Sequence, residues 1–241
     1  MRAQAQAQAS VAGRRGICLA VGMGSVAPIP RKPELPAQLE RGEIAALGHD
    51  AGLSEIELVG ISLVDQRAKG VCLDTVRLVG VDLSGSHLEH LRILHAALND
   101  CDLANLNARG AQLKSVTIEG SRLTGIDLSE GVLTDVVLRG CRVDLASFGF
   151  CRLERVTFED CVLVQSDFLE AALDSVRFHG CNLMRADVRG ARLKRCELRR
   201  CDLTELQGVE SLRGAALEWG DIVEMAGVWA AALGIGVLDS E

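Results

Sequence analysis

From Leu53 to Leu203 an apolar residue recurs every five positions without an insertion or deletion. Of the 31 positions in this frame, 29 are Leu, Ile, Val or Phe, and the other two are Ala68 and Ala108. A second frame lies two residues earlier, from Ala51 to Cys201. There 28 of 31 positions are Ala, Val, Ile, Cys, Ser or Gly, with Gln66, Leu91 and Leu106 as exceptions. None of these 62 positions is charged, although the tract is otherwise dense in Asp, Glu and Arg, so the two frames mark an interior. A period of five fits neither the helix period of 3.6 nor the strand period of two. It predicts a chain that turns a corner every five residues and points two of them inward.

Segments such as Cys101-Asp102-Leu103-Ala104-Asn105, Cys181-Asn182-Leu183-Met184-Arg185 and Cys201-Asp202-Leu203-Thr204-Glu205 resemble the repeat unit of the pentapeptide-repeat family. The resemblance covers about two thirds of the chain, with residues 53–205 as the repeat domain. It implies an all-β solenoid: a right-handed, four-sided β-helix with four pentapeptides per coil. A separate feature supports four per coil, because residue identity also recurs every 20 positions. Cys101, Cys141, Cys161, Cys181 and Cys201 fall in one column, with Ser121 in the gap. Ile56, Val76, Val116, Val136, Val156 and Val176 form another, interrupted by Ala96, and Phe158 and Phe178, like Phe148 and Phe168, are 20 apart. Gly60, Gly80, Gly120, Gly140 and Gly180 recur at one corner with Asp100 and Asp160, as a left-handed backbone favours. The 31 pentapeptides give about 7.75 coils and, at roughly 4.8 Å per coil, a rod about 37 Å long. Both ends of such a rod are open sheet edges that need caps.

Residues 1–52 leave the frame and carry all four prolines, which predicts a disordered or extended arm. Arg14-Arg15 and the apolar residues after it superficially resemble a signal peptide, but the run is too short and too rich in Gly; Met23 is an alternative start. Residues 206–241 also leave the frame. There Leu206, Val209, Leu212 and Leu217 look like a degenerate last coil. Trp219 to Leu233 reads as one amphipathic helix, with Trp219, Ile222, Val223, Ala226, Trp229, Ala230 and Leu233 on one face and Gly234 ending it. The face is expected to cap the last coil. Some members of the family dimerise through a C-terminal helix, so a homodimer contact is the alternative.

Seven of the nine cysteines occupy the small inward frame, where they read as filler rather than disulfides or metal ligands. A reduced thiol column fits a cytoplasmic protein of bacterial type. No segment is long and apolar enough to cross a membrane. His87, His90 and His95, with Glu89, are expected on the surface, and no metal or other cofactor is implied. A continuous rod offers no concave site with converging polar groups, which argues against an enzyme.

The formal charge of −7 divides into +2 for residues 1–52, −3 for 53–204 and −6 for 205–241. Within the rod, the face over Leu128, Phe168 and Val188 shows Asp127, Glu130, Asp167, Glu170 and Asp187, partly offset by Arg189. The next face shows Lys114, Arg152, Arg155, Arg192, Lys194 and Arg195. Leu145 and Phe150 fall at corners that should face water, and read either as a local bulge or as an apolar contact patch. The leading expectation is a rod that presents charged faces to a protein partner, without direct nucleic-acid binding. The family resemblance supplies the alternative. Some members mimic duplex DNA, bind DNA gyrase and alter quinolone sensitivity. A rod carrying −3 is weakly charged for a molecule that imitates a charge every ~1.7 Å.

Overall fold

The computed structural model describes residues 28–238. The chain winds as a parallel β-solenoid of about 9 turns. Residues 20 apart pair in register along its length, as in Gln112↔Val132 and Val132↔Arg152. Each coil has two kinds of side. Two consecutive sides form one bent strand, for example Gln112–Glu119, Val132–Arg139 and Arg152–Glu159, stacked into a 12-stranded sheet. The other two sides are mostly tight turns joined to the next coil by single bridges such as Asp82↔Asp102 and Asp127↔Ser147.

The corners explain the period of five. Every fifth residue from Asp50 to Glu205 has a positive φ, between 47° and 72°, and 22 of these residues are not glycine. Left-handed backbone costs an L-residue roughly 1–2 kcal/mol. Here it is held because each corner N–H donates to a carbonyl one coil further on, as Gly80 does to Asn99 (2.9 Å) and Gly120 to Arg139 (3.0 Å). On the turn sides, Asp or Asn two residues after an inward residue adds a second lock. The Oδ1 atoms of Asp102, Asn182 and Asp202 accept the backbone N–H of Ala104, Met184 and Thr204 at 2.9–3.0 Å. The Asp/Asn preference of the repeat therefore has a backbone origin.

Both inward frames are buried as expected. In the large-residue frame only Leu53 and Leu193 are half-buried, and from Val71 onward every residue of the small frame is buried. The phenylalanines form a stack in the shaft: Phe148 on Phe168 (4.9 Å, 7°) and Phe158 on Phe178 (5.0 Å, 3°), with edge contacts between the two pairs. The cysteines do more than fill space. Cys141, Cys161, Cys181 and Cys201 each direct Sγ at the carbonyl 23 residues earlier, at 3.3–3.5 Å, and Ser86 and Ser166 make the same bond with Oγ at 3.0 and 2.7 Å. The small frame thus favours residues that also carry a donor. Burial pushes the Cys151 thiol up to about 12.

Both ends extend beyond the repeat frame. At the C-terminal end, Ala215–Leu217 pairs with Cys196–Leu198 at a spacing of 19 instead of 20. At the N-terminal end, Glu40–Arg41 pairs with Ile56–Glu57, and Leu47 is buried. Gln66, the polar exception in the inward frame, is what joins this end to the first coil, since its Oε1 accepts the N–H of Leu47 (3.0 Å). Residues 28–39 have no regular secondary structure but lie against the rod. Pro30 is buried, the Arg31 N–H donates to Asp135 Oδ1 (3.1 Å), and the Pro36 carbonyl accepts from Arg77 (3.4 Å). The low-complexity start, the signal-like stretch and Met23 lie outside the described residues.

The C-terminal helix differs from the expected single element. It is two short helices, α1 (Trp219–Glu224) and α2 (Ala226–Ala232), broken at Met225. Gly220 and Gly227 weaken both. The break turns Met225 inward, where it is buried, and packs Val228 and Trp229 on the core. Ala226 is exposed and Ala230 half-buried. Trp219, Ile222, Val223 and Leu233 stay exposed, so much of the predicted inward face is turned to solvent. Gly234 ends the helix as expected, with φ +68° and the Ile235 N–H returned to the Ala230 carbonyl (2.8 Å).

Candidate functional site

The acidic residues and the two apolar corners, which the sequence presents as separate features, form one surface. The parallel bridges Asn107↔Asp127, Asp127↔Ser147, Ser147↔Asp167 and Asp167↔Asp187 align a single turn-type side. Leu145 is the corner at one edge of that side, and Phe150 is the corner at the other. Phe150 shares its corner column with Glu130 and Glu170. The stacking is fixed by backbone bonds from Glu130 N–H to the Gly149 carbonyl (2.9 Å) and from Phe150 N–H to the Leu169 carbonyl (2.8 Å).

Leu145 (φ 57°) and Phe150 (φ 59°) keep the left-handed conformation of every other corner, and their coil has the same bonds as its neighbours. No bulge is present, which corrects one of the two expectations for this segment. A corner residue has nowhere to turn except outward, and the two side chains are 57% and 56% exposed. Between them the outward positions are small, Ser147 and Gly149. Gly149 is itself buried, and a Cβ there would sit 3.2 Å from Asp167 Oδ2. The coil therefore presents a shallow saddle with an apolar rim on each side.

The carboxylates around the saddle have unequal freedom. Asp127, Asp167 and Asp187 each use Oδ1 to accept the N–H two residues on, at 2.9, 2.7 and 2.9 Å. Asp187 is also paired with Arg189, which holds its carboxyl below the usual range. Glu130 is lowered in the same way by Arg109 (2.5 Å). Glu170 is exposed and makes no ion pair among the described residues.

Two models of one family match the chain: pentapeptide repeats in eight copies over residues 94–129, and the pentapeptide repeat region over residues 133–207. The chain is a pentapeptide-repeat protein. Solved structures with a similar fold include a trypsin-treated form of QnrB1, a plasmid-mediated fluoroquinolone resistance protein. It is 17% identical, covers 80% of this chain and 100% of its own, and has a TM-score of 0.39. HetL, involved in heterocyst differentiation regulation in the cyanobacterium Nostoc, is 21% identical over 71% of this chain and 91% of its own, with a TM-score of 0.34. Rfr23 from the cyanobacterium Cyanothece is 17% identical over 68% of this chain and 88% of its own, with a TM-score of 0.19. No curated protein matches the chain.

The other sides of this pentapeptide-repeat rod are more self-contained. On the side expected to be basic, Arg155 holds Asp135 through Nε (2.7 Å) and Nη2 (3.0 Å), and Lys194 and Arg195 both pair with Asp174. Arg152 and Arg192 remain exposed there. His87 and His90 are exposed, but His95 is half-buried with Nδ1 closed off and without a hydrogen-bond partner, contrary to the expectation that all three face water. Among the described residues no group of His, Cys, Asp and Glu is arranged to hold a metal. The shaft contains a closed space of about 20 Å³ lined wholly by apolar side chains such as Leu98, Ile118 and Phe148, which offers a reacting group no polar partner. Among the described residues no helix is long and apolar enough to cross a membrane.

Proposed function

We propose that this pentapeptide-repeat protein is a non-enzymatic rod that binds another protein through the side carrying Leu145 and Phe150. One observation carries the reading. Of the 32 corner residues from Asp50 to Glu205, all in left-handed backbone, these two alone are apolar; every other one is Gly or polar. Bulky apolar residues suit neither the conformation nor the exposure of a corner, and the core gains little from them. Contact with a partner supplies a reason for both. A reduced, buried thiol column favours a cytoplasmic setting for this rod.

The test is site-specific photo-crosslinking in cells. A benzoylphenylalanine at position 150 is expected to trap a discrete partner band that the same residue at corner 160, on another edge of the rod, does not trap. Equal labelling from both positions, or from neither, would count against the reading.

The alternative, a topoisomerase-directed DNA mimic, calls for a continuous acidic column. Ser147 interrupts that column, and Arg109 and Arg189 offset two of its carboxylates. A gyrase supercoiling assay with and without a fluoroquinolone tests it. The appropriate variant replaces Asp127, Asp167 and Asp187 by Asn, because Asn preserves the turn-locking acceptor and a charge reversal would not.

A further inference from the structure

We infer that the corner column Glu130–Phe150–Glu170 receives an arginine side chain from a basic segment of a partner protein, with the guanidinium stacked on the Phe150 ring between the two carboxylates. This inference rests on the protein-binding reading above and names the chemistry of the partner.

Three features of the column favour a planar cation. The first is an unoccupied ring face. The other four phenylalanines pack on one another in the shaft, whereas Phe150 stands outside, 56% exposed, with no ring partner among the described residues. An exposed aromatic face attracts a cation through its quadrupole. The second is the position of the acids. The parallel register puts Glu130 one coil before Phe150 and Glu170 one coil after it, so their Cα atoms lie about 4.8 Å to either side. Glu130 is already engaged by Arg109, which leaves Glu170 as the carboxylate with room for a new partner. The third is rigidity. Corner N–H groups of Glu130, Phe150 and Glu170 are all bonded to the following coil, at 2.9, 2.8 and 3.0 Å, so the column needs no ordering on binding.

Arginine fits better than lysine. Its flat, weakly hydrated guanidinium stacks on a ring while its fork reaches a carboxylate, and a lysine ammonium does only one of these well. The rest of the saddle suits the chain that would carry the arginine. Ser147 and the buried Gly149 leave a low floor for an extended backbone, and Leu145 on the far rim offers an apolar contact. Asp127 and Asp167, on the coils before and after Ser147, repel a phosphate backbone and attract a basic segment.

The test uses the full-length protein and three fluorescein-labelled nonapeptides with the repeating units Gly-Ser-Arg, Gly-Ser-Lys and Gly-Ser-citrulline, titrated by anisotropy at low salt. The Arg peptide is expected to bind most tightly and the citrulline peptide to bind at least about tenfold more weakly. Phe150→Gly is the informative variant, since glycine accepts the corner φ of 59° and the fold is retained. Its affinity for the Arg peptide should fall about tenfold, and Glu170→Gln should lower it about threefold. Unchanged affinity in Phe150→Gly, or equal binding of the citrulline peptide, overturns the inference.

Two further outcomes are separable. A crosslinked partner that binds Phe150→Gly normally would overturn this arginine-docking assignment and leave a protein-binding rod. Self-association lost in Phe150→Gly, seen by sedimentation, would mean the arginine comes from a second copy and would overturn the separate-partner assignment.

Discussion

Replacing Phe158 by Leu tests how the shaft is held together. Leu occupies the same column at positions 98 and 138, so the backbone accepts it. What is lost is specific: the parallel stack on Phe178 at 5.0 Å and the edge contacts with Phe148 at 5.8 Å and Phe168 at 6.3 Å. Phe158 is fully buried, and the strands on either side are tied to the next coil, so the walls cannot close on the gap. Aromatic pairing contributes about 0.5–1.5 kcal/mol beyond burial. With the stack and two weaker edge contacts, a loss of about 1–2 kcal/mol is expected, which lowers Tm by roughly 3–6 °C in a chain of this size. A cycle with Phe178→Leu should show a coupling of about 0.5–1.5 kcal/mol in urea unfolding. Native-state hydrogen exchange should place the loss in the coils carrying residues 138, 158 and 178, because each coil touches only its neighbours. Strict additivity in the cycle, or loosened amides around Leu78, would refute an interior held coil by coil.

Other expectations concern the ends and the thiols. Asp135→Ala should cost about 2–3 kcal/mol, because it removes a buried acceptor that serves both Arg155 and the Arg31 N–H, and it should free residues 28–36 for limited proteolysis; unchanged cleavage would disprove the docking. Arg155 depresses the Asp135 pKa below its ordinary value of 3.8, so this contribution is present above that pH and is lost as pH falls through the lower folded value; the gap between wild type and Asp135→Asn should narrow there. Burial raises Cys151 from 9.0 to about 12, so its contribution is intact below pH 9 and falls between 9 and 12; at pH 8 a maleimide should modify Cys72 and spare Cys151, and equal rates would contradict the burial. Trp219→Ser with Val223→Ser and Leu233→Ser should leave circular dichroism unchanged and abolish any self-association in sedimentation, since these side chains cover nothing in their own chain; a wild-type protein that stays monomeric at high concentration would rule out a helix-mediated dimer.

The solenoid was legible because its rule is local and repeated. Two residues in five point inward, one in five turns the corner, and 20 residues close a coil, so the identities of Cys161 or Gly120 already report their environment. The surface was legible one residue at a time. Asp127 and Phe150 could each be placed, but they become one site only when 126–130 and 146–150 are recognised as successive coils of one side, with 145 and 150 as its edges. The period of 20 contained that information. The arm was not legible, because the Arg31–Asp135 contact joins residues 104 apart and leaves no periodic trace. The helix break was also hidden. A heptad-like spacing from Trp219 to Leu233 describes one continuous face, and it does not weigh Gly220 and Gly227 against the pull of the core on Met225.

The unbroken run of left-handed corners also makes length a quantised property of this protein. A deletion or insertion of one residue would move a charged side chain into the shaft and a Leu onto a corner in every coil that follows, so drift in length is closed off. Growth is open only through the duplication of whole coils. Such an event between Phe150 and the C-terminal helices would carry the site away from that end by one coil rise and leave it on the same side of the rod. The distance between two binding points could thus be reset in fixed steps, like notches on a ruler, while the chemistry of each point stays the same.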